Sequence, residues 1–179
     1  MASTGEGALE TPSEIEREVV ALFDQYRAPL LRYAMAFGIP LHDCEEILQE
    51  TFLALFRHLQ RERSRKNLRG WIFKVTHNLA LKQREANYRF RERNEEDPAA
   101  GERVPDPGLN AEEQFSLAQR RKKLIAVVQA LPEIDQRCLI LRAEGLRYRE
   151  IGDVLGMSLG SVSISLTRSL ARLARADGR

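Results

Sequence analysis

Apolar residues recur every three or four positions through most of this chain, and runs that alternate apolar and polar residues are nearly absent. A spacing of three and four places side chains on one face of an α-helix, whereas a half-buried strand requires strict alternation. Repeated stretches with this spacing stand on both sides of a proline-rich segment. The pattern therefore predicts an all-α fold.

Helix-start signals divide the first part of the chain into three helices. Thr11 can cap the first helix, with Glu14 completing a capping box. A second helix is expected to start near His42 or Asp43, and Asn67 can cap a third after a polar stretch. Three amphipathic helices are enough to enclose one small core, so we expect a first helical domain here.

The segment "NEEDPAAGERVPDPGLN" separates this block from a second one. It contains three of the seven prolines in the chain and almost no large apolar side chain, so it cannot bury enough surface to offset the entropy of ordering it. The boundaries that we expect are 1–13 for an N-terminal tail, 14–92 for the first domain, 93–110 for a flexible acidic linker, 111–175 for a four-helix second domain and 176–179 for a C-terminal tail.

Charge is distributed in blocks along the chain, although the formal net charge is only +2. Residues 57–93 carry a net charge of +9 and residues 119–179 carry +6, while residues 1–56 carry −7 and residues 94–118 carry −6. A single basic block is often only a solvated face, but two basic blocks on separate folding units favour a nucleic-acid partner.

The stretch "YREIGDVLGMSLGSVSISLTRSLARL" has the spacing of a helix-turn-helix unit. Gly156 can end the first helix by adopting a positive φ, and Ser158 can cap the second. The second helix is expected to be anchored by Val162, Leu166, Leu170 and Leu173. A plain helical hairpin has similar spacing, but Arg147 and Arg149 beside the turn favour contact with the phosphates of a DNA duplex.

The second helix of the first domain carries an acidic face. Asp43, Glu46 and Glu50 stand at positions i, i+3 and i+7, away from the apolar stripe, and Gln49 lies at the border of this face. Three carboxylates on a helix commonly face water without a partner. The residues alone therefore leave a solvated face and a protein-docking face both open.

Both halves of the chain resemble bacterial sigma factors of the extracytoplasmic-function group. The stretch "ALPEIDQRCLILRAEGLRYREIGDVLGMSLGSVSISLTRSLARL" resembles the fourth conserved region of these proteins, and "DCEEILQETFLALFRHL" and "GWIFKVTHNLAL" resemble the second. The resemblance covers roughly residues 18–90 and 115–174. It implies a factor that binds core RNA polymerase and directs transcription from specific promoters.

The resemblance also implies three sets of contact residues. Those that would dock on the coiled-coil of the clamp in the largest polymerase subunit are Asp43, Glu46, Gln49 and Glu50. Those that would hold single-stranded DNA of the −10 element are Arg63, Ser64, Arg65, Lys66, Asn67, Lys74, His77 and Asn78. Those that would bind the −35 duplex are Arg147, Arg149, Ser161, Ser163, Ile164, Ser165, Thr167, Arg168 and Arg172.

Three positions depart from the pattern of this family. Ser163 and Ser165 replace basic residues of many relatives, and each lost contact with DNA costs on the order of 1–3 kcal/mol. Binding to the −35 element is then expected to be weaker or to depend on water and DNA shape. Lys82 stands where relatives often have an acid, which alters the face available to partners.

Other classes of function find little support in the sequence. His42 and Glu46 lie four positions apart, but no third ligand has metal spacing, and there is no glycine-rich phosphate loop or nucleophile elbow. We therefore expect no enzyme activity, no metal and no cofactor, and a cytoplasmic protein without membrane insertion. The family also implies an anti-sigma partner. The alternative is a stand-alone helix-turn-helix regulator that acts without polymerase.

Overall fold

The computed structural model describes residues 12–94 and 111–177, and within these ranges every regular element is an α-helix. The helices are α1 (Glu14–Met35), α2 (Leu41–Gln60), α3 (Leu68–Asn94), α4 (Ala111–Gln129), α5 (Glu133–Ala143), α6 (Tyr148–Leu155) and α7 (Leu159–Asp177). The prediction of an all-α fold is confirmed.

The start of α1 differs from the prediction. Ser13 is the N-cap: its hydroxyl accepts from the backbone N–H of Glu16 at 3.2 Å, and its own N–H donates to the Glu16 carboxylate at 2.6 Å. The predicted box of Thr11 and Glu14 is therefore wrong, because the same spacing two residues later forms it, and Thr11 lies outside the described residues. The cap predicted for α3 is confirmed, since the side-chain oxygen of Asn67 accepts from the Gly70 N–H at 3.1 Å.

The helix ends in the second half follow the glycine signals. Gly145 and Gly156 adopt φ values of +87° and +67°, which non-glycine residues rarely adopt. Earlier in the chain, α3 continues through Asn94, so it includes residues 93 and 94 of the predicted linker. The rest of that linker, residues 95–110, lies outside the described residues.

The first half buries its core between α1, α2 and α3. Tyr33 of α1 and Phe73 of α3 are fully buried, and their rings meet edge to face at 5.8 Å between centroids. Two buried hydroxyls, those of Thr51 and Thr76, lie 3.2 Å apart and join α2 to α3, while Thr51 also donates to the carbonyl of Ile47. Aromatic packing and this satisfied polar pair fix the three helices against one another.

The second half is built on α5, α6 and α7. Its fully buried side chains include Leu141, Leu146, Ile151, Val162 and Leu166. The expected anchor Leu170 is instead 51% exposed, because the buried face of α7 follows a line through Val162, Leu166 and two serines. This face looks toward α5 and α6, whereas Leu170 looks toward α4.

The two halves meet along α3 and α6, at a contact that we call the seam. Its ion pairs are Arg32 with Glu144, Arg69 with Glu150 and Arg84 with Glu133. The first two are bidentate, with shortest distances of 2.6 Å. Each of these pairs places the arginine on the first half and the carboxylate on the second. The hydrogen bond from Arg84 holds the pKa of Glu133 below its ordinary value.

Candidate polymerase and promoter interfaces

The acidic face of α2 is divided by the structure into two parts. Glu46 and Glu50 are exposed, with Gln49 between them, and the neighbouring Leu53 is 49% exposed. Asp43 is instead mostly buried: its carboxylate accepts from the Asn87 amide at 2.9 Å and lies 2.8 Å from a ring nitrogen of His42. The surface open to a partner is therefore formed by Glu46, Gln49, Glu50 and Leu53.

The apolar member of this face, Leu53, was not identified from the sequence. It stands seven positions after Glu46 and three after Glu50, so it shares their side of α2. An exposed leucine among carboxylates is the pattern of a protein interface, where an apolar centre is bordered by charge. Counting the apolar stripe of α2 more strictly would have shown that Leu53 lies outside it.

The basic loop between α2 and α3 has a defined shape. Arg63, Ser64 and Lys66 are exposed. The carbonyl of Ser64 lies 3.0 Å from a ring nitrogen of His58, and its hydroxyl accepts from the Lys66 N–H at 3.2 Å. Arg65 pairs with Glu18 of α1 at 3.1 Å. The loop thus presents cations from a conformation that its own polar groups stabilise.

Asn67 closes this loop with a φ of +55°, an uncommon value outside glycine, and Glu62 has a φ of +51°. Trp71 follows on α3, half-buried, with its ring 4.6 Å from that of His58. The tryptophan therefore packs between the loop and the core, and it supports the base of the loop.

The side chains predicted on α3 point in two directions. Lys74 and Asn78 are exposed, and Lys82 continues their line at the same spacing. His77 is only 6% exposed, and its Nδ1 lies 2.7 Å from the hydroxyl of the buried Tyr33. Burial, together with nearby arginines, lowers the pKa of His77 to about 4. The structure therefore places His77 in the core, where its ring is unable to reach a DNA strand.

The helix-turn-helix geometry is formed by α6 and α7. Gly156 leads into the turn, where the hydroxyl of Ser158 accepts from the Ser161 N–H at 3.1 Å and so caps α7. A side-chain carbon on Gly152 would lie 2.7 Å from the carbonyl oxygen of Met157, so only glycine allows the turn to fold back this closely. This contact fixes the angle at which α7 leaves the turn.

The outer face of this unit carries most of the residues predicted to contact DNA. The exposed ones are Arg147, Arg149, Ser161, Ile164, Thr167, Arg168 and Arg172. Ser163 is half-buried and Ser165 is buried. An isoleucine, a threonine and an arginine in the N-terminal half of such a helix supply both an apolar contact for a thymine methyl group and donors for guanine or phosphate.

Ser165 faces a carboxylate inside the second half. Its hydroxyl donates to Oδ1 of Asp135 at 2.7 Å, and Nη2 of Arg168 donates to Oδ2 of the same carboxylate at 2.6 Å. In this arrangement Ser165 is unavailable to bases. Asp135 was not identified from the sequence, because it is one of two acids in the first turn of α5, where acids are favoured by the helix dipole.

An open apolar groove lies between α4 and α7, with a volume of about 860 Å³. Its apolar lining includes Leu117, Leu124, Ile125, Val128, Leu170 and Leu173. Leu170 therefore faces the apolar side chains of this groove, and α5 and α6 do not cover Leu170.

Potential metal ligands do not cluster in the part of the chain that the structure describes. Within it, no group of three His, Cys, Asp or Glu side chains is placed to hold a metal ion. Cys44 and Cys138 are both buried, and burial raises the pKa of the Cys44 thiol to about 11. Within residues 12–94 and 111–177 no single helix is long and apolar enough to span a membrane, and α6 and α7 reach that length only as a pair bent by 105°.

Comparison with known proteins connects these faces to one family. The protein family described as "Sigma-70 region 2" matches residues 22–90, and the family described as "Sigma-70, region 4" matches residues 121–173. The ECF RNA polymerase sigma factor SigE of Mycolicibacterium smegmatis is 32% identical over 153 residues, which are 85% of this chain and 58% of SigE. The ECF RNA polymerase sigma factor ShbA of Streptomyces griseus is 34% identical over 142 residues, which are 76% of this chain and 72% of ShbA.

A solved structure has the same fold. The sigma factor RpoE of Bartonella quintana, in complex with the anti-sigma factor NepR, superposes with a TM-score of 0.68 at 15% identity, over 89% of this chain and 96% of that one. The match to region 2 does not favour a stand-alone regulator, which would use the second half alone. The resemblance found in the sequence is confirmed, and the chain belongs to the extracytoplasmic-function group of RNA polymerase sigma factors.

Proposed function

We propose that this chain is an alternative sigma factor that binds core RNA polymerase through its first half and directs initiation at promoters that both halves contact. The observation that carries the proposal is the exposed acidic face of α2 beside a preformed basic loop, in a chain that ends in a helix-turn-helix unit. The acidic face would supply a docking surface, and the basic loop and the helix-turn-helix unit would supply separate surfaces for DNA.

The docking surface for polymerase is Glu46, Gln49, Glu50 and Leu53 on α2. Its carboxylates would steer the chain toward a basic partner such as the coiled-coil of the polymerase clamp, and Leu53 would supply the apolar centre of the contact. Asp43 would contribute indirectly, by fixing α2 to Asn87 of α3.

Promoter contacts are divided between the halves. The loop with Arg63 and Lys66 and the stripe of Lys74 and Asn78 would follow single-stranded DNA of the −10 element, where cations track the backbone and splayed bases enter pockets. The outer face of α7 would enter the major groove of the −35 duplex.

The test is whether the purified chain co-elutes with core RNA polymerase and whether a housekeeping sigma factor displaces it. We expect co-elution and displacement. The variant Glu46→Lys/Glu50→Lys should abolish co-elution, because it reverses the charge of the docking surface. The matched control Asp24→Lys/Glu85→Lys makes the same charge change at exposed positions of α1 and α3 and should bind as the native chain does.

Two outcomes would contradict the proposal. A folded native chain that fails to bind polymerase would exclude a sigma role. Equal binding by both charge-reversal variants would exclude the docking surface while leaving the sigma role in place.

We also propose an anti-sigma partner, because the related RpoE is in complex with one. Such a partner should purify with the tagged chain from its own cells and prevent its co-elution with polymerase. A partner that binds without preventing co-elution would not be an anti-sigma factor. The chain itself would carry out no reaction, and it would work in the cytoplasm, where polymerase and promoter DNA are found.

A further inference from the structure

The carboxylate of Asp135 lies beneath the outer face of α7. It is 1% exposed, although it stands in the first turn of α5. Its two oxygens have different partners, both on α7: Oδ1 accepts from the Ser165 hydroxyl at 2.7 Å and Oδ2 accepts from Nη2 of Arg168 at 2.6 Å. One buried acid therefore connects α5 to two residues of the helix that the family uses for DNA.

Burial makes this pairing specific. A buried carboxylate is costly unless a cation and hydrogen bonds satisfy it, so Asp135 stabilises the one rotamer of Arg168 that brings the guanidinium to Oδ2. A guanidinium has five N–H donors, and the bond to Oδ2 leaves others to bind elsewhere. Because Arg168 is already ordered in the folded chain, DNA binding does not have to bear the entropic cost of ordering this side chain.

The other side of Arg168 faces solvent. Its side chain is 50% exposed, and it shares the outer face of α7 with Ile164, Thr167 and Arg172. The guanidinium is thus held at the edge of this face, with part of its surface available to an approaching duplex.

We propose that Asp135 is a positioning residue that orients Arg168 for contact with the −35 duplex, and that it removes Ser165 from the set of residues that read bases. The inference rests on the proposed function. It predicts that Asp135 influences promoter choice without touching DNA.

The experiment uses polymerase holoenzyme reconstituted with the full chain. A promoter is first mapped from the 5′ ends of RNA that the native holoenzyme makes on genomic DNA. Binding is then measured on that duplex and on a set with every single substitution in the −35 element, for Asp135→Asn, Arg168→Ala and the double variant.

Asp135→Asn keeps the shape of the side chain and an acceptor for Ser165, but it loses the charge that holds Arg168. We expect binding about tenfold weaker, with relaxed preference at the same base pairs that Arg168→Ala relaxes. In the Arg168→Ala background, Asp135→Asn should cause no further loss of binding, because each change disrupts the same Asp135–Arg168 pair. Additive losses, or native binding and preference in Asp135→Asn, would overturn the inference.

Two controls separate positioning from folding. Asp153→Asn removes an exposed carboxylate of α6 and should leave promoter preference unchanged. Melting curves and polymerase co-elution check that Asp135→Asn is folded. If it is not, Asp135→Glu keeps the charge but moves the carboxylate, and it should shift preference at those same base pairs. Native preference in a folded Asp135→Glu would overturn the inference.

NMR of the Arg168 side-chain N–H groups gives a readout that does not depend on transcription. In the native chain these protons should exchange slowly, and in Asp135→Asn they should exchange at the rate of a solvated arginine. Fast exchange in the native chain would contradict the pairing itself. If the native holoenzyme starts no transcription, the proposed function and this inference fail together, whereas slow exchange would still identify Asp135 as a structural partner of Arg168.

Discussion

The two halves of the chain present their recognition residues in different ways. On α2 of the first half, Glu46 and Glu50 stand on the outside of the helix and the core beneath them is formed by other residues. On α7 of the second half, Arg168 is tied to the buried Asp135, so recognition and folding share one group. A surface carried on the outside of one helix can therefore be altered without disturbing the core, whereas a surface held by a buried group is constrained by that group.

The largest effect expected from a small change is at the turn of the second half. Gly152→Ala would place a methyl group 2.7 Å from the Met157 carbonyl, which belongs to the backbone and cannot move without opening the turn. We expect a loss of about 3 kcal/mol in the free energy of unfolding, measured by urea denaturation.

Gly70→Ala is the matched change in the first half. Its methyl group would meet the side chain of Asn67, which can rotate away at the expense of a helix cap. Losing the cap lowers the free energy of unfolding by about 1 kcal/mol, and the better helix propensity of alanine relative to glycine raises it by a similar amount. The free energy of unfolding should therefore stay within about 1 kcal/mol of native. Equal losses in the two variants would show that the turn is no more constrained than the loop.

Acid should destabilise the first half through His77. The unfolded histidine takes up a proton near pH 6.5, whereas the buried one does so only near pH 4. Between these values the unfolded chain binds a proton that the folded chain excludes, so stability falls as the pH falls, by at most about 1.4 kcal/mol per pH unit. Urea denaturation from pH 7 to pH 4 measures this slope.

His77→Asn serves as the control for this pH dependence. The shorter side chain keeps a polar group near the Tyr33 hydroxyl but does not titrate in this range. The variant should be less stable at pH 7 and should show a smaller slope. An unchanged slope would assign the acid sensitivity to carboxylates instead.

The seam should respond to reversal of its charges. Arg32→Glu or Glu144→Arg alone should increase the radius of gyration in small-angle scattering, because each variant brings like charges together across the contact. The double variant restores opposite charges and should return the radius toward native. The expected coupling is within about 1 kcal/mol, since Arg32 is largely exposed. A double variant as open as the single ones would show that this pair does not hold the halves together.

The smallest expected effect distinguishes two buried serines of α7. The Ser169 hydroxyl is buried and has no hydrogen-bond partner among the described residues, so Ser169→Ala should leave stability unchanged or raise it by about 0.5 kcal/mol. Ser165→Ala should lower stability by about 1 kcal/mol, because Asp135 would lose the hydrogen bond that it accepts from the Ser165 hydroxyl. Thermal melting of the two variants compares them directly, and the reverse order would contradict the proposed support of α7.

Much of the fold was predictable because its signals are local. Asn67 and Ser158 cap helices where their spacing predicts, and Gly156 adopts the positive φ expected at the end of a helix. A cap depends on residues within one turn of it, so the sequence contains the whole interaction. The N-cap of α1 was misplaced because two capping boxes overlap there and only packing chooses between them.

The missed parts of the candidate site depend on contacts between distant residues. Helical spacing places His77 near Lys74 and Asn78, but only the fold shows that Tyr33 lies 2.7 Å from its ring. The partnership of Asp135 and Arg168 likewise joins residues 33 positions apart. Most of the exposed charged residues were predictable, whereas the exposed Leu53, the burial of Asp43 and the buried partner of Arg168 were not.

The ion pairs of the seam affect how many counterions the chain exchanges when it meets DNA. Because the arginines of its three ion pairs lie on the first half and the carboxylates on the second, closing the seam lets the chain neutralise part of its own charge. A polyanion that meets the closed chain then encounters fewer available cations and displaces fewer ions than one that meets the open chain. Unspecific binding to DNA should accordingly be weaker, and less sensitive to salt, for the closed chain than for one whose halves are held apart.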